Sequence, residues 1–149
     1  MNLILQDVRR EPSSDRYVWT PFEMNEEFNG DWWDSPPYLT DDPHYVRAIL
    51  GGVQVARVEL DHNFRGSSHF GAPRLGATAL EIQFIEVAKS HQRRGVGAGV
   101  VRGLLERYPD RRLLALSEDA DEFWAGLRWN RYDHHDGPHL YRPLFIAPP

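Results

Sequence analysis

The chain contains no cysteine among its 149 residues, and this absence excludes several kinds of chemistry at once. Disulfide bonds, a thiolate nucleophile and cysteine-based zinc sites are all impossible. No apolar run approaches the roughly 20 residues that a transmembrane helix needs, and the N-terminus lacks the basic and apolar pattern of a secretory signal. We therefore expect a cytoplasmic protein without membrane contact.

Basic residues are fewer than acidic ones. Lys and Arg together number 17 against 22 Asp and Glu, which gives a formal net charge of −5. Because phosphate backbones attract basic surfaces, this balance disfavours a nucleic-acid partner and favours a cationic one. The length suits one compact domain over residues 1–149, and 41% hydrophobic residues are enough to fill its core.

Hydrophobic periodicity divides the chain into short strands and helices. Alternating or β-branched runs predict strands, and apolar residues at helical spacing predict helices. Residues 11–43 are rich in Pro, Asp, Glu and aromatics and predict short helices and loops, and residues 62–77 predict a loop. A Gly-Gly turn at 51–52 predicts a hairpin. The predicted strands are 2–8, 45–50, 53–60, 79–87, 113–116, 130–134 and 140–146, and the predicted helices are 95–108 and 119–127. This order predicts a mixed α/β sheet.

The most informative segment joins the strand at 79–87 to the helix at 95–108, and it reads Gln92-Arg93-Arg94-Gly95-Val96-Gly97. A glycine-rich turn that opens a helix presents unpaired backbone N–H groups and the positive end of the helix dipole to one spot. The two arginines add positive charge, so the segment predicts a site for a phosphate-bearing ligand. It fits neither a Walker A loop nor the dinucleotide G-x-G-x-x-G pattern. A generic nucleotide-phosphate binder, or solvated arginines at an ordinary helix start, remain alternatives.

Residues 79–133 resemble the GNAT superfamily of acyl-CoA N-acyltransferases. The family signature Gln/Arg-x-x-Gly-x-Gly/Ala follows the fourth strand, and residues 92–97 satisfy it. The resemblance implies an α/β (α+β) fold, a mixed and mostly antiparallel sheet of roughly six or seven strands flanked by helices, with the fourth and fifth strands splayed around CoA. It also implies acetyl-CoA as co-substrate, a small-molecule or peptide amine as acceptor, and direct transfer in a ternary complex. A homodimer is compatible with it.

The resemblance assigns roles to individual residues. The backbone at Ile85 and Val87 corresponds to the segment that pairs with the pantetheine arm, and the amides of residues 92–98 correspond to the pyrophosphate site. Ser117 stands where many members have an asparagine that touches pantetheine. The residues implied in CoA binding are Ile85, Val87, Gln92, Arg93, Arg94, Gly95, Val96, Gly97, Ala98, Ser117 and Trp124.

Two positions depart from the family pattern. By spacing, Trp124 occupies the position of a tyrosine general acid, and an indole N–H cannot protonate a leaving thiolate. The usual Leu-Gly-Phe ending of that helix reads Leu127-Arg128-Trp129, so the expected glycine C-cap is missing.

Transfer of an acetyl group to an amine needs a base that removes the amine proton. Glu81 is the first candidate, since it lies on the polar face of its strand, eleven residues before Gln92, as a base does in histone-acetylating members. Glu86 is the second, and its face depends on where a strand bulge falls. Tyr132 is a candidate general acid and Tyr141 a further guess. The alternatives are a solvated carboxylate for Glu81 and packing roles for the tyrosines.

An acidic and aromatic stretch precedes the hairpin. It would suit a cationic amine through charge and cation–π contacts, or it is a solvated face with a few core aromatics. Its members are Trp19, Phe22, Glu23, Glu26, Glu27, Phe28, Asp31, Trp32, Trp33, Asp34, Tyr38, Asp41 and Asp42.

No metal site is expected from the sequence. His134, His135 and His139 are close in the chain, but Gly137-Pro138 breaks any helix that could align them, and they lack partners at zinc-finger spacing. The alternative to an enzyme is an acyl-CoA-binding regulatory module with little or no turnover, and Trp124 is the main reason to consider it.

Overall fold

The computed structural model describes residues 1–37 and 42–149. The strands are β1 (Ile4–Arg9), β2 (His44–Leu50), β3 (Val53–Asp61), β4 (Ala79–Val87), β5 (Arg112–Leu116), β6 (Asn130–Tyr132) and β7 (Leu144–Ile146). The helices are α1 (Gly30–Trp33), α2 (Val96–Arg107) and α3 (Asp121–Gly126). The strands form a seven-stranded, mostly antiparallel sheet in the order β1-β2-β3-β4-β5-β7-β6, flanked by helices. This architecture confirms the predicted mixed α/β class.

The chain divides into two compact units, and β4 contributes to both. Unit 1 comprises Met1–Leu60 and Phe84–Leu104, and unit 2 comprises Asp61–Gln83 and Leu105–Pro149. The single domain over residues 1–149 stays a prediction.

In unit 1 the predicted hairpin is confirmed. β2 and β3 pair antiparallel around Gly51 and Gly52, whose φ angles of 57° and 80° suit the two-residue turn that matches strand twist. β1 pairs antiparallel with β2. An aromatic cluster forms part of the core, and its buried members are Phe22, Phe28, Trp33, Tyr45 and Ala88.

Helix α2 packs closely on the segment around β1. An added Cβ at Gly99 would lie 2.9 Å from a Leu3 methyl carbon, and one at Gly103 would lie 2.9 Å from a Leu5 methyl carbon. These two glycines are four residues apart and therefore share one helix face. Their missing side chains allow α2 to approach Leu3 and Leu5 closely.

In unit 2, β4 and β5 pair parallel from Ala79↔Arg112 to Glu81↔Leu114. β7 pairs antiparallel with both β5 and β6. Ala79, Leu114, Leu144 and Ile146 form a buried cluster on which aromatic side chains pack.

The observed element ends differ from several predicted ones. β1 runs from Ile4 to Arg9 rather than over 2–8. β7 begins at Leu144 rather than at residue 140, because Pro143 has no N–H to donate to a ladder. β6 ends at Tyr132 rather than at residue 134. The loop at 62–77 contains a 3₁₀ turn at Ser67–Phe70, and a second turn, Gly76–Thr78, begins inside it.

No helix in residues 1–37 and 42–149 has both the length and the apolarity to cross a bilayer.

Candidate functional site

The loop before α2 has the backbone of an anion-binding turn. Arg93 and Gly95 adopt positive φ angles of 62° and 78°, whereas Arg94 between them does not. Such alternating handedness turns successive N–H groups toward a common side. The first helical bond runs from the Gly99 N–H to the Gly95 carbonyl at 3.0 Å, so the amides from Val96 onward in this first turn have no partner within α2.

The charge around this turn is positive. Arg93 and Arg94 are exposed, and neither forms an ion pair within the described part of the chain. The first turn of α2 carries no acidic side chain. An acidic residue there would compete with an incoming anion for the helix N-terminus, so its absence leaves the positive end of the dipole available.

The loop is anchored on both sides. The Gln92 side chain donates from Nε2 to the Val87 carbonyl at 3.2 Å. Glu27 accepts from the Lys89 N–H through its backbone carbonyl at 3.1 Å and from the Ser90 N–H through Oε2 at 3.0 Å. The hydrogen bonds from Ser90 hold the pKa of Glu27 below its usual value. These contacts fix the loop before any ligand arrives.

Glu86 is an anchor for α1 in this structure, which disfavours the predicted role as second-choice base. Its carboxylate accepts from the Asn29 N–H at 2.9 Å and 3.1 Å and from the Trp33 Nε1–H at 2.8 Å. Asn29 caps α1 by accepting from the Asp31 N–H. These contacts give the carboxylate a structural role at the start of α1. Ile85 and Val87 beside it are partly buried, and the Ala88 N–H continues the pairing to the Val55 carbonyl at 2.8 Å.

Arg57 is a buried cation that the sequence did not reveal. Only 2% of it is exposed, and its guanidinium lies over the rings of Phe28 at 4.1 Å and Phe22 at 4.6 Å from the centroids. Burial lowers its pKa, and the charges of Asp34 and Glu86 oppose that effect. Arg57 occupies one position of a β-branched and alanine-rich strand, and nothing in that pattern indicates that its side chain points inward.

The aromatic side chains expected to line an acceptor site divide into two groups. The first group lies in the core and consists of Phe22, Phe28 and Trp33, so the alternative of core aromatics is confirmed for these residues. The cation that contacts the Phe22 and Phe28 rings is the protein's own Arg57. Trp32 is 39% exposed, with its ring 5.1 Å from that of Phe84. Tyr38 and Asp41 lie outside the described residues. Exposed acidic side chains remain at Glu23, Glu26, Asp31 and Asp42.

In unit 2, Glu81 lies at the last register pair of β4 with β5 and is 7% exposed. The alternation of the sequence predicted a polar face for Glu81, and the alternative of a solvated carboxylate is wrong, because the residue is buried. Ala79, Leu80, Glu81 and Ile82 are all buried, since this part of the strand is covered on both faces. Glu81 as the general base stays a prediction.

Ser117 makes its observed contacts within the protein, and its contact with pantetheine stays a prediction. Its hydroxyl donates to Asp121 Oδ1 at 2.6 Å and accepts from the Ala120 N–H at 3.2 Å, and the residue is 2% exposed. A serine has one hydroxyl proton, and here that proton serves the start of α3. Trp124 is 3% exposed and packs against Phe123 and Trp129, so this structure gives it a core role rather than a CoA contact.

The missing glycine at the end of α3 has a visible consequence. Arg128 adopts a left-handed φ of 64°. Its N–H donates to the Ala125 carbonyl at 2.9 Å, and the Trp129 N–H donates to the Trp124 carbonyl at 3.3 Å. These bonds and the Trp124–Trp129 ring contact at 4.8 Å form a Schellman motif without its usual glycine.

The remaining candidates are two tyrosines and a group of histidines, and the role of Tyr132 as general acid stays a prediction. Tyr132 packs on the buried cluster of unit 2, and the Tyr141 ring stacks on that of His134 at 3.8 Å. The histidines group differently from the sequence expectation, because His69 joins His134 and His135 while His139 does not. The structure therefore brings together the β4 end, the loop and the α2 start within unit 1, whereas Glu81, Ser117, Trp124 and Tyr132 belong to unit 2.

Comparisons with known proteins agree with this fold. The model of the family described as "Acetyltransferase (GNAT) family" matches residues 5–127. The chain belongs to the GNAT acetyltransferase family. No curated protein matches it in sequence.

Solved acetyltransferases share the GNAT fold of this chain at low sequence identity. An acetyltransferase from Thermus thermophilus has a TM-score of 0.55 at 13% identity, covering 74% of this chain and 67% of its own. The Bacillus subtilis N-acetyltransferase YlbP, solved with coenzyme A, has a TM-score of 0.52 at 21% identity, covering 70% and 67%. The putative N-acetyl transferase YhhK from E. coli, bound to coenzyme A, has a TM-score of 0.50 at 18% identity, covering 86% and 88%.

Proposed function

We propose that this GNAT protein is an N-acetyltransferase that moves an acetyl group from acetyl-CoA to a primary amine by direct transfer in a ternary complex. The observation that carries the proposal is the turn at residues 92–98, where positive-φ backbone, unpaired helix amides and two exposed arginines converge. Coenzyme A bound to the similar YlbP and YhhK structures supports a diphosphate as the occupant.

The residues of the turn bind and orient the coenzyme. Amides of residues 92–98 donate to the diphosphate oxygens, Arg93 and Arg94 add charge, and the backbone of Ile85 and Val87 pairs with the pantetheine arm. Because Gln92 ties the turn to the Val87 carbonyl, the diphosphate site and the strand end hold a fixed separation.

The chemical step forms the C–N bond and breaks the C–S bond of the thioester. A protonated amine loses a second proton once the C–N bond has formed, and this proton replaces the one that the departing thiolate takes from the acid. The amine loses its first proton to a base before it attacks. Glu81 accepts it in this proposal. A carboxylate that is 7% exposed is shielded from bulk water, which suits a base that must take its proton from a bound amine. The departing thiolate takes a proton from an acid that is not Trp124, and Tyr132 remains the proposed candidate.

The proposed acceptor is a cationic small-molecule or peptide amine. The exposed carboxylates of Glu23, Glu26 and Asp31 support this class, because they attract a protonated amine toward unit 1. Action in the cytoplasm and assembly as a homodimer also stay predictions.

A second candidate function is an acyl-CoA-binding module with little turnover. The observation in its favour is that Trp124 is a buried packing residue at the position of the family's tyrosine acid. This module would use the same coenzyme site as the proposed enzyme and would differ from it only in transferring little or no acetyl group.

The test begins with calorimetric titration of CoA and of ATP into the protein. Clear preference for CoA supports the diphosphate and pantetheine site, and equal affinity supports a generic phosphate binder. Thiol release from acetyl-CoA is then measured against a panel of amines for the wild type, Glu81→Gln and the control Glu106→Gln, which changes an exposed carboxylate of α2.

Loss of about a hundredfold or more in kcat for Glu81→Gln alone supports the base assignment. Full activity in Glu81→Gln removes that assignment and leaves the coenzyme site standing. CoA binding without turnover on any amine favours the module.

A further inference from the structure

Three histidines that are far apart in the sequence meet in unit 2. One nitrogen from each of His69, His134 and His135 lies within 4.8 Å of the others. The ring centroids are 5.6 Å apart for His69 and His134, 5.9 Å for His69 and His135, and 4.5 Å for His134 and His135. Two imidazoles that share a tetrahedral Zn²⁺ have centroids roughly 5 Å apart, so these spacings match a shared metal ion.

The hydrogen bonds decide which nitrogens carry protons. His135 Nδ1 lies 2.8 Å from the His69 carbonyl oxygen, which can only accept, so Nδ1 is the protonated nitrogen. The second ring nitrogen, Nε2, is the one left to bind. Metal-binding histidines commonly donate their other N–H to a backbone carbonyl in this way, because that bond fixes both the tautomer and the ring orientation.

The Asp136 carboxylate lies near His135 Nε2, the ring nitrogen that is left to bind a metal. Its Oδ1 lies 3.4 Å from His135 Nε2, and its Oδ2 lies 3.8 Å from His134 Nδ1. A carboxylate oxygen and an unprotonated ring nitrogen are both acceptors, so a proton or a metal ion must lie between them to make the contact favourable. The edge between two ligand atoms of a tetrahedral zinc site is also roughly 3.4 Å.

His134 is the ligand that must give up an existing bond. Its Nδ1 accepts from the Asp136 N–H at 3.1 Å, so this nitrogen is already unprotonated and aimed at the Asp136 segment. The side chain is only 9% exposed and stacks against Tyr141, which holds the ring in place. His69 is exposed and can turn toward an ion, whereas the hydrogen bond to the His69 carbonyl already holds the ring of His135.

We propose that His69, His134, His135 and Asp136 form a binding site for Zn²⁺ or a similar late divalent transition metal. The three imidazoles and one carboxylate are the donors such ions prefer, whereas Mg²⁺ and Ca²⁺ prefer all-oxygen sites. Four protein ligands fill a tetrahedral zinc site, which is the arrangement of a structural metal. The ion would join the loop that holds His69 to the segment after β6, which are 66 residues apart in the chain.

The experiment uses the untagged full chain, because a polyhistidine tag would bind the probe metals. Zn²⁺ is titrated calorimetrically after chelator treatment, with Mg²⁺ as the comparison, and Co²⁺ is added separately because its visible spectrum reports tetrahedral nitrogen ligation. At a Zn²⁺ concentration one hundred times Kd, the midpoint of thermal unfolding should rise by roughly 5–10 °C.

His135→Gln and His69→Gln should each weaken Zn²⁺ binding by at least about tenfold. The matched control is His139→Gln, an exposed histidine of the same segment that lies outside the cluster, and it should leave Kd unchanged. Each variant is first compared with the wild type in chelator, where equal unfolding midpoints show that the fold is intact.

The proposal is overturned if Zn²⁺ and Mg²⁺ give the same weak heat, or if His139→Gln lowers the affinity as much as His135→Gln does. It is also overturned if the cluster binds a proton only, which would appear as stabilisation on acidification with no response to any metal. Because none of these readouts uses acetyl transfer, the result is independent of the proposed function.

Discussion

An Ala98→Glu substitution places a carboxylate at the third residue of α2, within the proposed diphosphate site. That position is the one from which a glutamate reaches back to the N-terminal amides of a helix, and a negative charge there stabilises the helix by about 0.3–1 kcal/mol. The same charge would repel a bound diphosphate. The variant should therefore raise the stability of the protein and lower its affinity for CoA.

The size of the second effect follows from helix geometry. Ala98 lies three residues beyond Gly95, about 4.5 Å along the axis of α2. A carboxylate there comes within roughly 6 Å of an anion held by the first amides, and two unit charges at that distance repel by about 0.7 kcal/mol in water and about 2.8 kcal/mol at the effective dielectric of a protein surface. A diphosphate carries more than one charge, so CoA affinity should fall by at least about tenfold.

The assay combines calorimetric titration of CoA with urea unfolding, and the control is Ala98→Gln, which has the same shape without the charge. The difference between the two variants should shrink at high salt, because screening weakens exposed charge interactions. If Ala98→Glu stabilises the protein yet binds CoA as Ala98→Gln does, then the anion is not held at the start of α2, and the proposed function loses its main support.

Two left-handed arginines form a matched pair for a second prediction. Arg93→Gly and Arg128→Gly should each raise the free energy of unfolding by about 0.5–1 kcal/mol, since glycine adopts a positive φ without strain. Only Arg93→Gly should also weaken CoA binding. An equal loss of CoA affinity in both variants would contradict the role of Arg93. Glu86→Gln should cost about 1–3 kcal/mol in urea unfolding, because an amide NH₂ in place of Oε2 would face the Asn29 N–H and the donors to Oε1 would lose their charged acceptor. Glu106→Gln at an exposed position should cost almost nothing. Burial of His44 lowers its pKa below 6.5, so the folded state keeps it neutral while the unfolded chain takes up a proton. The free energy of unfolding should therefore decrease as the pH falls below 6.5, and this group contributes at most about 1.4 kcal/mol per pH unit. His44→Gln should reduce the slope of stability against pH in that range. If denaturation at pH 7, 6 and 5 gives the same slope for the variant and the wild type, this role of His44 is refuted.

The order of elements could be predicted because each is encoded locally. The strand at 79–87 matched β4 at both ends, and the helix at 95–108 matched α2 within one residue, since apolar periodicity and the glycines and prolines that end it are properties of adjacent residues. The prediction for β7 was four residues too long at its start. Whether an apolar residue such as Leu140 joins a strand depends on a partner strand and on the N–H that Pro143 lacks, and the periodicity does not contain that information.

The candidate site likewise has parts that are encoded locally and parts that depend on distant residues. The turn that we propose as the diphosphate site is visible in the sequence because six consecutive residues supply all its parts. The partners of side chains are not visible, because they come from distant positions. Alternation leaves Glu86 as a possible base, whereas its contacts with Asn29 and Trp33 place it at the start of α1. Ser117 likewise has the position of a coenzyme contact in the sequence, but in the structure its hydroxyl donates a hydrogen bond to the Asp121 carboxylate.

The sequence by itself determined the fold class, the family resemblance and the position of the turn that opens α2, because these depend on short-range pattern and backbone chemistry. Only the tertiary structure decided which charges are buried and what they meet: Arg57 beneath Phe22 and Phe28, and His69 beside His134 and His135. Such contacts join residues that are tens of positions apart, and packing alone brings them within the few ångströms over which hydrogen bonds, cation–π contacts and metal ligation act.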